Sequence, residues 1–240
     1  MNFKFNKRAP MYTLEERLFG AGCDHVRVTL HEFAESLGNA IDARDHGTWA
    51  HSDEVAEVSL VLAQCMGASP VQRQLIHIAG HLHDIGKLAL PDNVLNKPGS
   101  LSDEEWAMVR EHPGRGADIV RPVPEFAAKG GVADMIRAHH ERWDGGGYPD
   151  GLSGKAIPCG ARVIAVADGL SAMMQDRPYR KGMSFVDACR EVERCSGTQY
   201  DPMVVSCLLA NRRAVFDAFM SVEESRVRSF AVRRRSREGA

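Results

Sequence analysis

Residues with metal-binding side chains recur along this chain at intervals of roughly thirty positions: His51, His83-Asp84, His112, His139-His140 and Asp168. Each lies near the end of a segment whose apolar residues repeat with helical spacing. Side chains so far apart in sequence meet when helix packs on helix, which is how a helical bundle assembles a site from facing elements. No convincing set of strands and no internal repeat interrupts the pattern. It predicts an all-α bundle.

Within that frame the stretch Gly80 to Lys87 is the densest in chemistry. Leu75, Ile76, Ala79 and Leu82 give the preceding segment one apolar helical face, Ser69-Pro70 suits a helix start, and Gly86 suits a stop. His83 and Asp84 therefore stand at a helix end. Neighbouring side chains on a helix point about 100° apart, so the pair chelates poorly on an open surface but can reach into one cavity where several elements meet.

The other segments follow the same logic. Leu14 to Ile41 reads as a long amphipathic helix with Val26, Leu30, Phe33, Leu37 and Ile41 along its seam, available to its own domain or to a second copy as a homodimer contact. His25 and His31 along it read as solvated or helix-packed. Thr48 to Met66 forms the next helix, with Val55, Val58, Leu62 and Cys65 inward. Pro91 to Gly99 reads as a loop, and Ser102-Asp103-Glu104-Glu105 carries the capping-box spacing of a helix that runs to His112 before Pro113. Further helices fall around Val132–His139, Phe185–Cys195 and Met203–Phe219, while Arg162–Ala167 suits either a strand or a buried helix. The arginines from Arg226 to Arg237 read as a solvated, disordered tail.

Composition narrows the function classes. The chain has 240 residues, 44% hydrophobic and 26% charged, with a formal net charge of -2, so nothing global favours nucleic acid or a membrane surface. No run is long and apolar enough for a membrane span, and the first residues lack the apolar stretch of a secretory signal. A cytoplasmic location is expected. Six cysteines without a CxxC pair read as free thiols, mostly filling the core.

Five imidazoles and two carboxylates exceed the needs of one four-coordinate ion, and no cysteine has zinc-finger spacing. Two ions of the iron or manganese type fit better. Such a pair, about 3.5–4 Å apart, holds a bridging hydroxide and clamps a phosphate for in-line displacement, which predicts phosphoester hydrolysis.

The chain also resembles a known family. His83-Asp84-Ile85-Gly86-Lys87 with Gly147-Tyr148-Pro149 is similar to the two signatures of the HD-GYP branch of HD-domain phosphohydrolases. His112-Pro113 with Gly116, His139 to Gly145, Val166-Ala167-Asp168, Asp176 to Arg180 and Gly197 to Pro202 stand in the family's order. The resemblance covers about residues 42–212, between an N-terminal tail and helix (1–41) and a C-terminal helix end with its basic tail (213–240). It implies an all-helical domain that hydrolyses cyclic di-GMP to linear pGpG, in some members on to GMP. It implies metal ligands at His51, His83, Asp84, His112, His139, His140 and Asp168, with Asp84 bridging two ions. Lys87 would face the scissile phosphate, Arg177 and Arg180 would meet phosphate oxygens, and Tyr148 beside Gly147 would stack on a guanine. The Gly145–Pro149 loop would also serve protein partners. Other substrates of the same chemistry, such as the mixed AMP-GMP cyclic dinucleotide, remain alternatives, as does a metal- and ligand-binding signalling module with negligible turnover.

Two departures from the family pattern matter. Ser171 stands where an aspartate is usual, implying changed contacts behind the ligands rather than a lost ligand. Gly47, one turn before His51, stands where members with three metals carry a carboxylate, so two ions are expected here. Glu54, three residues after His51, is the nearest substitute.

Overall fold

The computed structural model of the protein describes residues 29–45, 50–176 and 181–238, and these are helical throughout, with no strand among them. Three helices make the frame: α1 (Leu30–Arg44), α2 (His51–Cys65) and α3 (Pro70–Leu82). α1 starts on Thr29 and α3 on Ser69, each a capping box closed by the acceptor side chain three residues on, Glu32 and Gln72 respectively. Pro70 occupies the first turn of α3, where its missing N–H costs nothing.

α2 and α3 lie unusually close. A Cβ added at Gly80 would stand 2.7 Å from the Cα of Ala56, so glycine and alanine at the crossing allow near backbone contact. Val55, Val58 and Leu62 of α2 are fully buried, as the heptad-like spacing predicts, whereas Cys65 is exposed. Of the cysteines described, all are free as expected; Cys189 is in the core, Cys195 and Cys207 pack against it, and Cys65 and Cys159 are exposed.

A 3₁₀ turn (Ile85–Ala89) follows α3, and the expected loop contains one helical turn, α4 (Asp92–Leu95). α5 (Asp103–Arg110) begins on the Ser102–Glu105 capping box and stops short of His112. A separate helix, α6 (His112–Val120), then begins at His112, where the sequence predicts that the preceding helix ends before Pro113. Proline in its first turn is compatible with a start, and Gly116 is buried against the 3₁₀ turn. α7 (Val132–Ala138) and α8 (Cys159–Met174) follow. α8 is the helix alternative for Arg162–Ala167: Val163, Ile164, Val166, Ala167 and Leu170 are all fully buried, so the helix is apolar almost all round.

α9 (Phe185–Arg194), α10 (Pro202–Ala210) and α11 (Arg212–Glu238) complete the bundle. The segment expected as one helix from Met203 to Phe219 divides at Asn211, whose side chain donates to the Cys207 carbonyl at 3.0 Å. α11 packs on α2 through Val215, Ala218, Phe219 and Val222 and continues to Glu238, where a disordered tail was expected. Arginine and glutamate are good helix formers, so charge alone does not end it. On α1, Ala34, Gly38 and Ile41 face inward, and Phe33 of the expected seam is 56% exposed. The part of that helix before Thr29, with Val26 and His25, lies outside the described residues, as do Gly47, Arg177 and Arg180. No helix among the described residues is long and apolar enough to cross a membrane.

Candidate metal centre

The helix ends converge as the thirty-residue rhythm predicts. His83 caps the C-terminus of α3 and His139 that of α7, while His51 begins α2 and His112 begins α6. Asp168 reaches in from the middle of α8. Two groups can each hold a metal ion, with ligand atoms within 4.8 Å of one another: Asp84, His112, His139 and His140 in one, and His51, His83 and Asp168 in the other. All seven sequence-predicted ligand positions fall into these two groups.

Asp84 stands where the groups meet. Its Oδ2 lies 3.3 Å from His83 Nε2 and its Oδ1 3.2 Å from His112 Nε2. On the other side, His51 Nε2 lies 3.2 Å from Asp168 Oδ1.

Ring orientation is set from behind. His83, His112 and His139 each donate an Nδ1–H to the carbonyl three residues earlier, on Gly80, Val109 and Ile136, at 2.8, 2.7 and 2.6 Å. That fixes the tautomer and turns each Nε2 lone pair toward the centre. The consequence is an arrangement that needs a cation. His83 Nε2 is buried with no hydrogen-bond partner, and the Nε2 atoms of His112 and His139 face each other at 3.4 Å. Lone pairs directed at one another in a buried cavity are costly unless a positive charge lies between or beside them. The donor set therefore fits divalent metal ions, with nitrogen and carboxylate donors suited to iron, manganese or zinc.

The electrostatics agree. Burial pushes Asp84 toward protonation, but the charges of Lys87 and His83 outweigh it and hold the carboxyl well below its usual range. Burial opposes charge on His83 too, yet Asp84 beside it raises that imidazole to about 9, so a bound cation would displace its proton. His139 is held neutral by burial and by its neighbours His140 and His83. His140 falls to about 4, chiefly through burial.

His51 is oriented differently, by a chain of side chains the sequence did not reveal in full. Ser171 Oγ donates to Glu54 Oε2 at 2.5 Å and so accepts from His51 Nδ1 at 2.8 Å. Gln175 Nε2 adds a bond to the same Glu54 oxygen at 3.2 Å. Glu54, weighed above as a possible extra metal ligand, thus lends this oxygen to Ser171. Ser171→Ala is expected to lower metal affinity in the His51 group about 10–100-fold, the usual effect of removing a partner behind a ligand. A competitive metal titration checks this, with circular dichroism expected to stay unchanged.

Lys87 Nζ lies 2.7 Å from Asp84 Oδ2 and 2.8 Å from Asp45 Oδ2, and these carboxylates outweigh burial to keep the ammonium charged. Tyr148 stacks at a tilt on His140, ring centroids 4.9 Å apart, with the Arg110 guanidinium 5.7 Å from its ring. Its loop is braced by Glu141, whose carboxylate accepts from the Asp150 and Leu152 amides at 2.7 and 3.1 Å, and by the Trp143 and Asp144 amides, which donate to the Gln199 and Thr198 carbonyls. Gly147 packs on the His140–Arg142 backbone, so the loop rests directly on the metal-facing helix end.

Known proteins are similar to this chain. The family model of the HD domain matches residues 35–204. The cyclic di-GMP phosphodiesterase response regulator RpfG of Xanthomonas campestris is 38% identical over 200 residues, covering 83% of this chain and 52% of its own length. The 3'3'-cGAMP-specific phosphodiesterase 2 of Vibrio cholerae is 35% identical over 201 residues, covering 83% and 37% respectively. The chain thus spans about half the length of the curated relatives it matches, or less. A crystal structure of a Vibrio cholerae cyclic GMP-AMP phosphodiesterase, V-cGAP3, shares the fold with a TM-score of 0.61 at 21% identity, over 79% of this chain and 50% of that one. Helix order, the paired histidine–aspartate clusters and these matches agree that the chain belongs to the HD-domain family and is related to the HD-GYP cyclic di-GMP phosphodiesterases.

Proposed function

We propose that this chain is a metal-dependent phosphodiesterase that opens cyclic di-GMP to linear pGpG and makes little GMP from it. The observation that carries the reading is Asp84, whose two oxygens face the two ligand groups and so suit a carboxylate shared between two ions. When bound, two divalent ions supply Lewis acidity toward a phosphate and bring a water's pKa toward neutrality. The chain's own residues do the rest. Asp84 and Asp168 hold the negative side of the site, and His139 and His140 present neutral nitrogens. Lys87, tied to Asp84, places a fixed positive charge beside the place where a phosphate would sit. Tyr148 offers a ring face for a purine on the loop that rests against His140, and Arg177 and Arg180 are proposed to take the remaining phosphate oxygens.

The count of two ions rests on Gly47, which cannot ligate, and on the bond from Ser171 that occupies one Glu54 oxygen. The similarity to a 3'3'-cGAMP-specific enzyme at 35% identity supports a second reading, in which the mixed dinucleotide is preferred.

Purified protein loaded with manganese or iron(II), incubated with each dinucleotide and followed by chromatography, tests the choice. Cyclic di-GMP is expected to give pGpG that persists through long incubation. Faster loss of 3'3'-cGAMP would favour the second reading, and binding without turnover of either would leave a signalling module. Anomalous scattering at the iron and manganese edges is expected to show two ions at this centre, and a third ion beside His51 would overturn the count.

A further inference from the structure

On the far side of α3 lies a second set of imidazoles that the phosphodiesterase reading leaves unused. His77 and His81 are four residues apart on α3, and Asp53 and Glu57 are four apart on α2, so each helix turns one such pair toward the other. His31 enters from the first turn of α1. The three rings form one cluster: His31 stacks on His77 with centroids 4.6 Å apart, and His81 lies 5.1 Å from His31 and 4.9 Å from His77. One ligand nitrogen from each lies within 4.8 Å of the others. Glu57 Oε1 is 3.1 Å from His77 Nε2, and Asp53 Oδ1 is 3.2 Å from His81 Nδ1.

A purely hydrogen-bonded cluster would leave little unpaired, and here much is. His81 is 2% exposed; its Nδ1 meets Asp53 Oδ1 at 3.2 Å without hydrogen-bond geometry, and its Nε2 has no partner. His31 Nε2 is also buried and unpartnered. Unpartnered nitrogens on His81 and His31, gathered within 4.8 Å of one from His77, are unusual in a folded interior, where buried polar groups are nearly always paired, and a single cation taking one nitrogen from each ring would satisfy them.

We propose that His31, His77 and His81 bind one zinc-class divalent ion, with Asp53 steadying the His81 ring and Glu57 the His77 ring. Three imidazoles, with a water to complete the shell, suit zinc better than calcium or magnesium, which prefer oxygen. His81 and His83 are two residues apart and so project from nearly opposite sides of α3. The new ion is therefore separate from the catalytic pair. It ties α1 to α3, with α2 held through Asp53 and Glu57 behind the rings, and so acts as a structural clamp behind the centre that His51 and His83 enter.

Diffraction from crystals of the whole chain grown with zinc, recorded on both sides of the zinc edge, is expected to show an anomalous peak among His31, His77 and His81. That peak is resolved by position from any at the Asp84 centre. His31→Ala and His77→Ala are each expected to abolish it, to remove one equivalent of zinc by mass spectrometry, and to cancel the rise in Tm that zinc gives the parent. Iron or manganese at the Asp84 centre should stay constant. Absence of the peak from the parent, or unchanged zinc content in both variants, would overturn the proposal. The first readout needs no variant to fold, and neither depends on which dinucleotide the enzyme cleaves.

Discussion

Asp84→Ala is expected to lower phosphodiesterase activity by at least about a thousandfold, the scale of removing one member of a group that acts as a unit. It is also expected to strip metal from both clusters, because the carboxylate lies 3.3 Å from His83 on one side and 3.2 Å from His112 on the other. The substitution further leaves Lys87 with Asp45 as its remaining carboxylate partner, so a fall in Tm will accompany the loss. Asp84→Asn separates the two effects, since it keeps the shape and removes the charge. Activity should be equally absent in that variant while most of the Tm returns. Metal content by mass spectrometry and product formation, measured on one preparation, are the readouts; full activity in either variant would rule out a shared carboxylate.

The second large effect is expected from one added methyl group. A Cβ at Gly86 would stand 1.9 Å from the His112 carbonyl oxygen and 2.6 Å from the Gly116 amide nitrogen, and both are backbone atoms that no rotamer change can move aside. Gly86→Ala must push α6 away from the 3₁₀ turn and carry His112 away from Asp84. Overpacking of this kind costs about 1–3 kcal/mol or more, so a clear drop in Tm is expected together with weaker metal binding in the Asp84, His112, His139 and His140 group. Gly114→Ala is the matched control in the same helix. Its nearest neighbour would be the Arg137 guanidinium at 3.4 Å, so stability should hardly change. Equal behaviour of the two variants would show that the close approach at Gly86 does not position His112.

These contacts show what could and could not be read beforehand. The residues that gather in the two clusters, His51, His83, Asp84, His112, His139, His140 and Asp168, were legible because each stands out chemically against an apolar helical pattern. The helix carrying His112 was not, because Pro113, Gly114 and Gly116 are breakers by local rule. Here proline falls in a first turn and Gly116 meets another backbone, and only tertiary packing reveals that. Ser171 was visible as an unusual residue, but its bond to Glu54 spans 117 positions, and no local pattern reports such a pairing. The cluster of His31, His77 and His81 left a partial trace: histidines four apart on one helix and acids four apart on the one before it. What local spacing lacks is the crossing at Gly80 and Ala56, which decides that these two faces meet.

The bonds from His83, His112 and His139 to carbonyls three residues back bear on which ion the centre accepts. Rings held in this way cannot swing to follow a larger or smaller radius, so any adjustment falls to Asp84 and Asp168, whose carboxylates can bind through one oxygen or two. Discrimination among metals would fall largely to these two acidic side chains, and one ion could replace another without repacking the bundle. A cell's supply of iron or manganese, more than the protein's own preference, would then set what the enzyme carries.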